Sequence, residues 1–467
     1  MALKTFDRSK LSMGWAPLEA YGLADKHTPV VTSHQESPNL AYYTPMDTGI
    51  ADSQRALMGL RPGETAIAIT VPGQVEHLRN IGLLRGASVL EITATKNDVR
   101  MHGDVLAHLI GNRVQFDKGS MLVPVYPSDE MAHQADLLGM SYIPLPSINI
   151  TNSKATLSRD SIEFGFNTIP RAVIRTDSDI QNAVEKFAGA KTGAWLKYPL
   201  AAGGLGIIRI ESVTTAALTE SLKKLRSNLE KFYNSKGASS QFKTFWPDSS
   251  AGPSIGIALE LDWNNIGIAR GDFCTHLFVD GLGGMEIVEQ IMNITSSSGK
   301  YLGGVRAEVD AEIWSAAEPH IVRFAQSQWS KGYKGLLVID WTAIDVKEAR
   351  YLPHGAEGLY IGITDPNARS AGGSTYSMIP AHILGAGSFK GIKVRGPAPI
   401  FTISDFIETI GPLAFGDPGK SGLVLPFSVE PGSTTFRIAV LGKDKGHVDH
   451  ILRQGLIGAR RVELLTG

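Results

Sequence analysis

The sequence predicts an α/β (α+β) protein that opens on a parallel sheet wrapped by helices and continues into a second set of strands. Two observations carry this expectation. From Glu64 onward, strand-like runs alternate with amphipathic helical runs, the pattern of a helix-covered parallel sheet. From Gly193 onward, strands are joined through a glycine-rich hairpin and a long charged helix, and polar residues gather at their ends.

The elements follow in order. The first 60 or so residues are rich in Pro and polar side chains, show weak periodicity, and read as mostly irregular. ETAIAITV then reads as a strand, VEHLRNIGLLRG as a helix, ASVLEITA as a strand, DVRMHGDVLAHLIGN as a helix, MLVPVYP as a strand and DEMAHQADLLG as a helix. The loop after the first of these strands, Val71-Pro72-Gly73-Gln74, lacks the glycine fingerprint for a pyrophosphate. The topology is therefore Rossmann-like without implying a dinucleotide. The polar stretch SINITNS marks a boundary, giving a first domain over 1–150. A helix ending near Gly165 follows, then the strand GAWLKYPL, the loop AAGGLG, the strand IIRI and the helix TAALTESLKKLRSNLEKFYNS, a second unit over 151–255. The strands IGIALELDW, GDFCTHLFVD and MEIVEQIMNI, the helix WSAAEPHIVRFAQSQWSKG, the strand GLLVID and the tract ITDPNARSAGG form a third unit over 256–385. Short strands (IKVRG, GLVLPFSV, TTFRIAV) and a helix near His447 to Arg453 make a C-terminal extension over 386–467.

Composition narrows the function. Lys plus Arg (45) nearly balance Asp plus Glu (46), so no nucleic-acid or membrane-seeking surface is indicated. The single cysteine, Cys274, excludes an internal disulfide and a multi-thiolate metal site, and reads as a buried strand residue. No leader-like apolar stretch opens the chain, and no apolar run nears the roughly 20 residues that span a bilayer. A cytoplasmic protein is expected, acting on small molecules; a homodimer is compatible with the sequence.

Chemistry concentrates in the third unit. Asp340 and Asp365 read as acids at strand ends, with the amide of Asn367 two residues on and the guanidinium of Arg369 beyond it. Acid, acid and amide form a hard oxygen site suited to Mg²⁺, which keeps several waters and is usually completed by nucleotide phosphates. Asp-Pro-Asn also opens an ordinary turn for backbone reasons, so this tract alone decides nothing. Upstream, Lys197 leads from a strand into Gly203, Gly204 and Gly206, where flexible backbone can close over phosphates, or merely form a hairpin. Glu260 and Asp262 end an apolar strand, placed to accept from a ribose or an adenine amino group, or simply to terminate the strand at the surface. Lys154 precedes a helix at a domain edge, where a solvated lysine is the default.

Taken in order, these tracts resemble the ATP-grasp superfamily of carboxylate-amine ligases, over Lys154 to about Pro380. The resemblance implies an ATP-grasp fold preceded by a Rossmann-like pre-ATP-grasp domain, with ATP and Mg²⁺ as cofactors. It implies that Lys154 and Lys197 hold phosphates, that Gly203, Gly204 and Gly206 form a mobile loop, and that Glu260 is the hinge acid. Asp340, Asp365 and Asn367 would be the magnesium ligands, and Arg369 would steady the transferred phosphoryl group or a substrate carboxylate. The chain departs from the family in two places. Asp365 stands where Glu is common, and Val338-Ile339 stand where relatives carry an arginine, leaving Arg306 as a candidate for that charge. Chain length, the C-terminal extension and the D-P-N-A-R tract are most similar to the pheganomycin-type peptide ligases.

The function expected is ATP-dependent amide or peptide bond formation through an acyl phosphate, releasing ADP and phosphate, on amino acids or peptides in natural product biosynthesis. The alternatives are an ATP-grasp kinase or phosphotransferase, and a nucleotide-binding protein that has lost catalysis. Three further tracts are set aside. Gly416 to Ser421 imitates a P-loop but runs into a strand, so no helix N-terminus faces a phosphate. His447 and His450 lack two further zinc ligands. Gly385-Ala386-Gly387 follows a helix, as a helix stop does.

Overall fold

The computed structural model describes residues 3–32, 53–93, 105–125, 127, 129–146, 151, 153–199, 207–235, 242–243, 246–247, 250–253, 256–295, 301–353, 356–367 and 372–465. A two-residue strand, β1 (Lys4–Thr5), runs parallel to a later strand of the large sheet. The first sheet is built from β2 (Thr28–Thr32), β3 (Thr65–Thr70), β4 (Ser88–Thr93), β5 (Ser120–Pro124) and β6 (Ser141–Tyr142). Its order is β4-β3-β2-β5-β6 and every pairing is parallel. β3 and β5 are buried along nearly their whole length, as strands covered on both faces must be.

One expectation is corrected here. Among the described residues of the first 60, irregular structure does not dominate: they supply the helix Trp15–Ala20 and β2, the middle strand of this sheet. TPVVT is short, starts next to Pro29, and is buried on both faces, so it lacks the alternation that marks a half-exposed strand. Glu64 fixes the helix, its Oε1 accepting from the backbone N–H groups of Gly14 (3.0 Å) and Trp15 (2.7 Å).

A four-stranded sheet follows, from β7 (Arg171–Ile174), β8 (Ala194–Lys197), β9 (Ile207–Ile210) and β10 (Ile257–Leu261), in the order β7-β10-β8-β9. The helix Leu157–Phe164 leads into it and stops at Gly165, whose φ of 72° gives the left-handed C-cap that glycine adopts without penalty. Thr176 and Asp179 form a reciprocal capping box on the helix Asp177–Lys186, which covers β7. The predicted charged helix spans Thr215–Ser235.

The ten-stranded sheet contains β11 (Gly267–Val279), β12 (Met285–Thr295), β13 (Tyr301–Arg306), β14 (Gly335–Val346), β15 (Leu359–Asn367), β16 (Ser388–Ile400), β17 (Leu423–Ser428), β18 (Ser433–Gly442) and β19 (Glu463–Leu464), with β1 on its side. The main path runs β15-β14-β11-β12-β13-β16-β18-β17, so the strands beyond residue 386 extend this sheet rather than build their own. Near β14 its two faces differ in chemistry. Phe273, Leu277, Ile339, Trp341, Ile361 and Ile363 pack on the helix Ala311–Ser330 through its buried Ile313, Ile321 and Phe324. Asp272, Cys274, His276 and Asp340, one residue out of step with those, lie on the opposite face.

Among the described residues, no helix is long and apolar enough to cross a membrane.

Candidate active site

The site lies where the polar face of the large sheet meets the small sheet. Asp340 falls mid-strand in β14 rather than at a strand end, because WTAIDV continues the strand to Val346 and the hairpin begins only after it. Across the ladder Asp340 pairs with Asp365, and Val338 with Asn367. Asn367 Nδ2 donates to Asp340 Oδ2 at 2.7 Å, so the two acids and the amide form one group. The DPN tract is therefore the last part of β15 rather than an isolated turn.

The small sheet supplies the opposing cations. Lys197 ends β8 and pairs across the ladder with Ala258, while Glu260 pairs with both Trp195 and Arg171, placing all five on one face. Lys197 Nζ lies 2.5 Å from Glu260 Oε1, and Arg171 Nη2 lies 2.6 Å from Glu260 Oε2. Leu196, Leu259 and Ile257, one residue out of step, fill the core behind. Two contacts cross between the sheets. The Lys154 ammonium, almost wholly buried, lies 2.7 Å from Asp365 Oδ1. Arg171 Nη2 also donates to the carbonyls of Ile363 (3.3 Å) and Thr364 (3.2 Å), directly before Asp365.

Sequence reasoning missed three members of this group. Arg171 drew no reading from the sequence; its role depends on which strand pairs with β7, which no local pattern reveals. Asp272 and Asn293 were the others. Asn293 Nδ2 bridges Asp272 Oδ1 (3.4 Å) and Asp340 Oδ1 (3.3 Å), extending the oxygen-rich face by one strand. Burial first, and the neighbouring Asp340 charge second, push the Asp272 carboxyl up to about 7. The one available signal was Asp272 sharing the strand face of Cys274 and His276.

Other expectations meet mixed outcomes. Gly203, Gly204, Gly206 and Arg369 lie outside the described residues. Asp262 is buried and caps the short turn Trp263–Asn265, accepting from Asn264 N at 3.0 Å, with Arg209 Nη2 at 3.8 Å. Arg306 does not stand beside Asp340. It lies three strands away on β13, its Nε 3.3 Å from Glu289, because ladder pairing sets Asp340 against Cys274, Cys274 against Ile291, and Ile291 against Arg306. Among the described residues, the cation that meets the acid pair is Lys154. Cys274 is buried, with its Sγ 3.8 Å from His276 Nδ1. The Gly416 to Ser421 tract is a turn, with Asp417 N donating to Ser421 Oγ (2.9 Å) and Gly419 N to Asp417 Oδ1 (2.7 Å). His447 Nδ1 accepts from Lys443 N, and no group of three or more His, Cys, Asp or Glu side chains among the described residues is arranged to hold a metal.

The fold matches solved structures along nearly the whole chain. Biotin carboxylase from Campylobacter jejuni, solved as a beta-gamma-ATP complex, superposes with a TM-score of 0.53 at 10% identity, over 92% of this chain and 90% of that one. The biotin carboxylase domain of 2-oxoglutarate carboxylase from Hydrogenobacter thermophilus, with MgADP, ADP and bicarbonate, gives 0.53 at 11% identity, over 94% and 90%. An N5-carboxyaminoimidazole ribonucleotide synthetase with ADP gives 0.50 at 11% identity, over 92% and 96%. The chain thus has the ATP-grasp fold behind a Rossmann-like domain, with a C-terminal extension. In sequence, no family model and no curated protein matches it.

Proposed function

We propose that this protein is an ATP- and Mg²⁺-dependent carboxylate-amine ligase that forms an amide or peptide bond on amino acids or peptides. The observation that carries this is the facing of Lys197 and Glu260 on the small sheet with Asp340, Asp365 and Asn367 on the large one, closed by the Lys154–Asp365 ion pair.

The donor set fits the cofactors. Two carboxylates and an amide, with no thiolate or imidazole among them, suit a hard divalent cation. Bound MgATP would supply the phosphoryl group that turns a carboxylate into an acyl phosphate, which an amine then displaces with loss of phosphate. Asp340, Asp365 and Asn367 would hold the metal. Lys154 and Lys197 would exchange their carboxylate partners for phosphate oxygens, so each ammonium is already placed at the cleft and no new charge has to be buried. Glu260, on the buried side, would anchor the nucleoside half. The glycine loop with Gly203, Gly204 and Gly206 would exclude water from the acyl phosphate, and Arg369 would steady the transferred group or a substrate carboxylate. Catalysis in such a site rests on positioning and charge, because phosphoryl transfer asks little covalent chemistry of a protein.

The test is incubation with ATP, Mg²⁺ and pooled amino acids, following ADP, AMP, phosphate and product mass. ADP with phosphate and a dehydrated, condensed mass supports the ligase. ADP with a phosphorylated product and no amide supports the kinase alternative. Tight nucleotide binding with no turnover across carboxylate pools supports a lapsed enzyme.

A further inference from the structure

Glu260 is almost wholly buried and yet has two cations, where one would neutralise it. The two are held very differently. Lys197 is the more exposed, ends its strand, and leads directly to the glycine tract. Arg171 cannot leave. Besides Glu260, its guanidinium donates to four backbone carbonyls: Ile169 (3.4 Å), Lys154 (3.3 Å), Ile363 (3.3 Å) and Thr364 (3.2 Å). Arginine stays charged at any working pH, and its planar fork makes such multiple contacts possible.

The asymmetry has a use in the reading given above, on which this inference rests. When Lys197 turns to a phosphate, a buried carboxylate left with no cation would have to take up a proton or pull the lysine back. We propose that Arg171 is a positioning residue: the permanent counter-ion of Glu260 that releases Lys197 to the nucleotide phosphates, while tying the small sheet to the backbone just ahead of Asp365. The other charged groups around the pair do not replace it. Asp272 on β11 is an acid and brings no positive charge, Tyr360 on β15 is a neutral phenol, and the Lys186 ammonium is engaged by the Arg171 carbonyl at 2.8 Å.

The experiment is calorimetric binding of MgADP to the full chain, from pH 6 to 8.5, for the wild type, R171M and R171K. Fold is checked by circular dichroism and melting. The wild type binds without taking a proton onto the protein. R171M binds on the order of ten- to a hundredfold more weakly at pH 8. Its deficit shrinks toward pH 6, by at most about tenfold per pH unit, because Glu260 must be protonated when Lys197 leaves. R171K keeps a charge beside Glu260, and its ratio to the wild type stays flat with pH. A deficit in R171M of the same size at every pH means a packing role only and overturns the proposal. Equal affinity of R171M and wild type overturns it as well. Should R171M not fold, proton uptake by the wild type, or a pH-dependent deficit in R171K, overturns it alone. Failure of the wild type to bind MgADP is a different result: it removes the nucleotide reading itself.

Discussion

The Lys154 ammonium and the Asp365 carboxylate neutralise one another at 2.7 Å, one anchored next to the small sheet and the other on the edge strand of the large sheet. A residue expected to bind phosphate and one expected to bind metal are thus paired in the free protein. MgATP would separate them, each finding an opposite charge on the ligand.

Removing Asp365 should therefore do two things at once. Asp365→Ala takes the carboxylate from a buried ammonium, and its stability should fall by about 2–5 kcal/mol. Turnover in the ligation assay should drop at least a hundredfold, roughly the loss of one transition-state contact or more. Asp365→Asn keeps the shape and should lose turnover with a smaller loss in urea stability. Near-normal turnover in either variant would remove Asp365 from the metal site.

Lys197→Ala should behave differently because Glu260 keeps Arg171. The stability cost should be the smaller one, about 1.5–3 kcal/mol for a hydrogen bond to a charged group, since the buried carboxylate remains compensated by Arg171. The effect should fall on nucleotide binding and turnover, again at least a hundredfold, approximately the value of one phosphate-stabilising group. A variant that unfolds as readily as Asp365→Ala, yet binds MgADP normally, would show that Lys197 is structural.

Much of this was legible in the chain, and the limits have physical causes. The β3, β4 and β5 runs and the helices between them are strongly patterned, and the sheet forms as the alternation implies. β2 escaped because four of its five residues are buried, on both faces, and show no period. In the site, Asp340, Asp365 and Asn367 were found because two adjacent strands carry them close together in sequence. Arg171 and Glu260 lie 89 positions apart in sequence, and Asn293 and Asp340 lie 47 apart, so no local motif contains either pair. Arg306 shows the reverse error. A charge was needed near Asp340 and Arg306 was the candidate for it, whereas sheet order places it three strands off.

His276, on the same sheet face as Asp340, predicts an acid instability of the fold. Its ring is fully buried on β11, Nε2 lies 3.0 Å from Thr375 Oγ1 on the helix Gly372–Ile383, and burial lowers its pKa to about 4. Glu289 acts in the opposite direction and His382 in the same one, both more weakly than burial. As pH falls, the unfolded chain takes up this proton near its ordinary value of 6.5, before the folded chain does. Stability from this residue is therefore complete above about pH 6.5 and is lost on the way down to about 4, by roughly 3 kcal/mol at most. Urea midpoints of wild type and His276→Gln, compared across that window, should converge toward acid. Parallel curves would mean that the imidazole accepts its proton in the fold.

Asp272 should show the opposite sign. Its folded pKa of about 7 lies above the ordinary 3.8, because burial and the nearby Asp340 disfavour its charge. The unfolded chain gives up this proton first as pH rises, so the group costs stability progressively from about pH 4 to 7 and fully above that. Asp272→Asn should then stabilise the metal-free protein at pH 8 by roughly 1–3 kcal/mol, while changing little at pH 4. Asn293 can turn its amide to meet the new side chain, so its bridge to Asp340 need not be lost. Urea unfolding in chelator at the two pH values measures the gain. Destabilisation at pH 8 would show that the Asp272 carboxylate is held by an attractive partner, and that the acidic face is already compensated without metal.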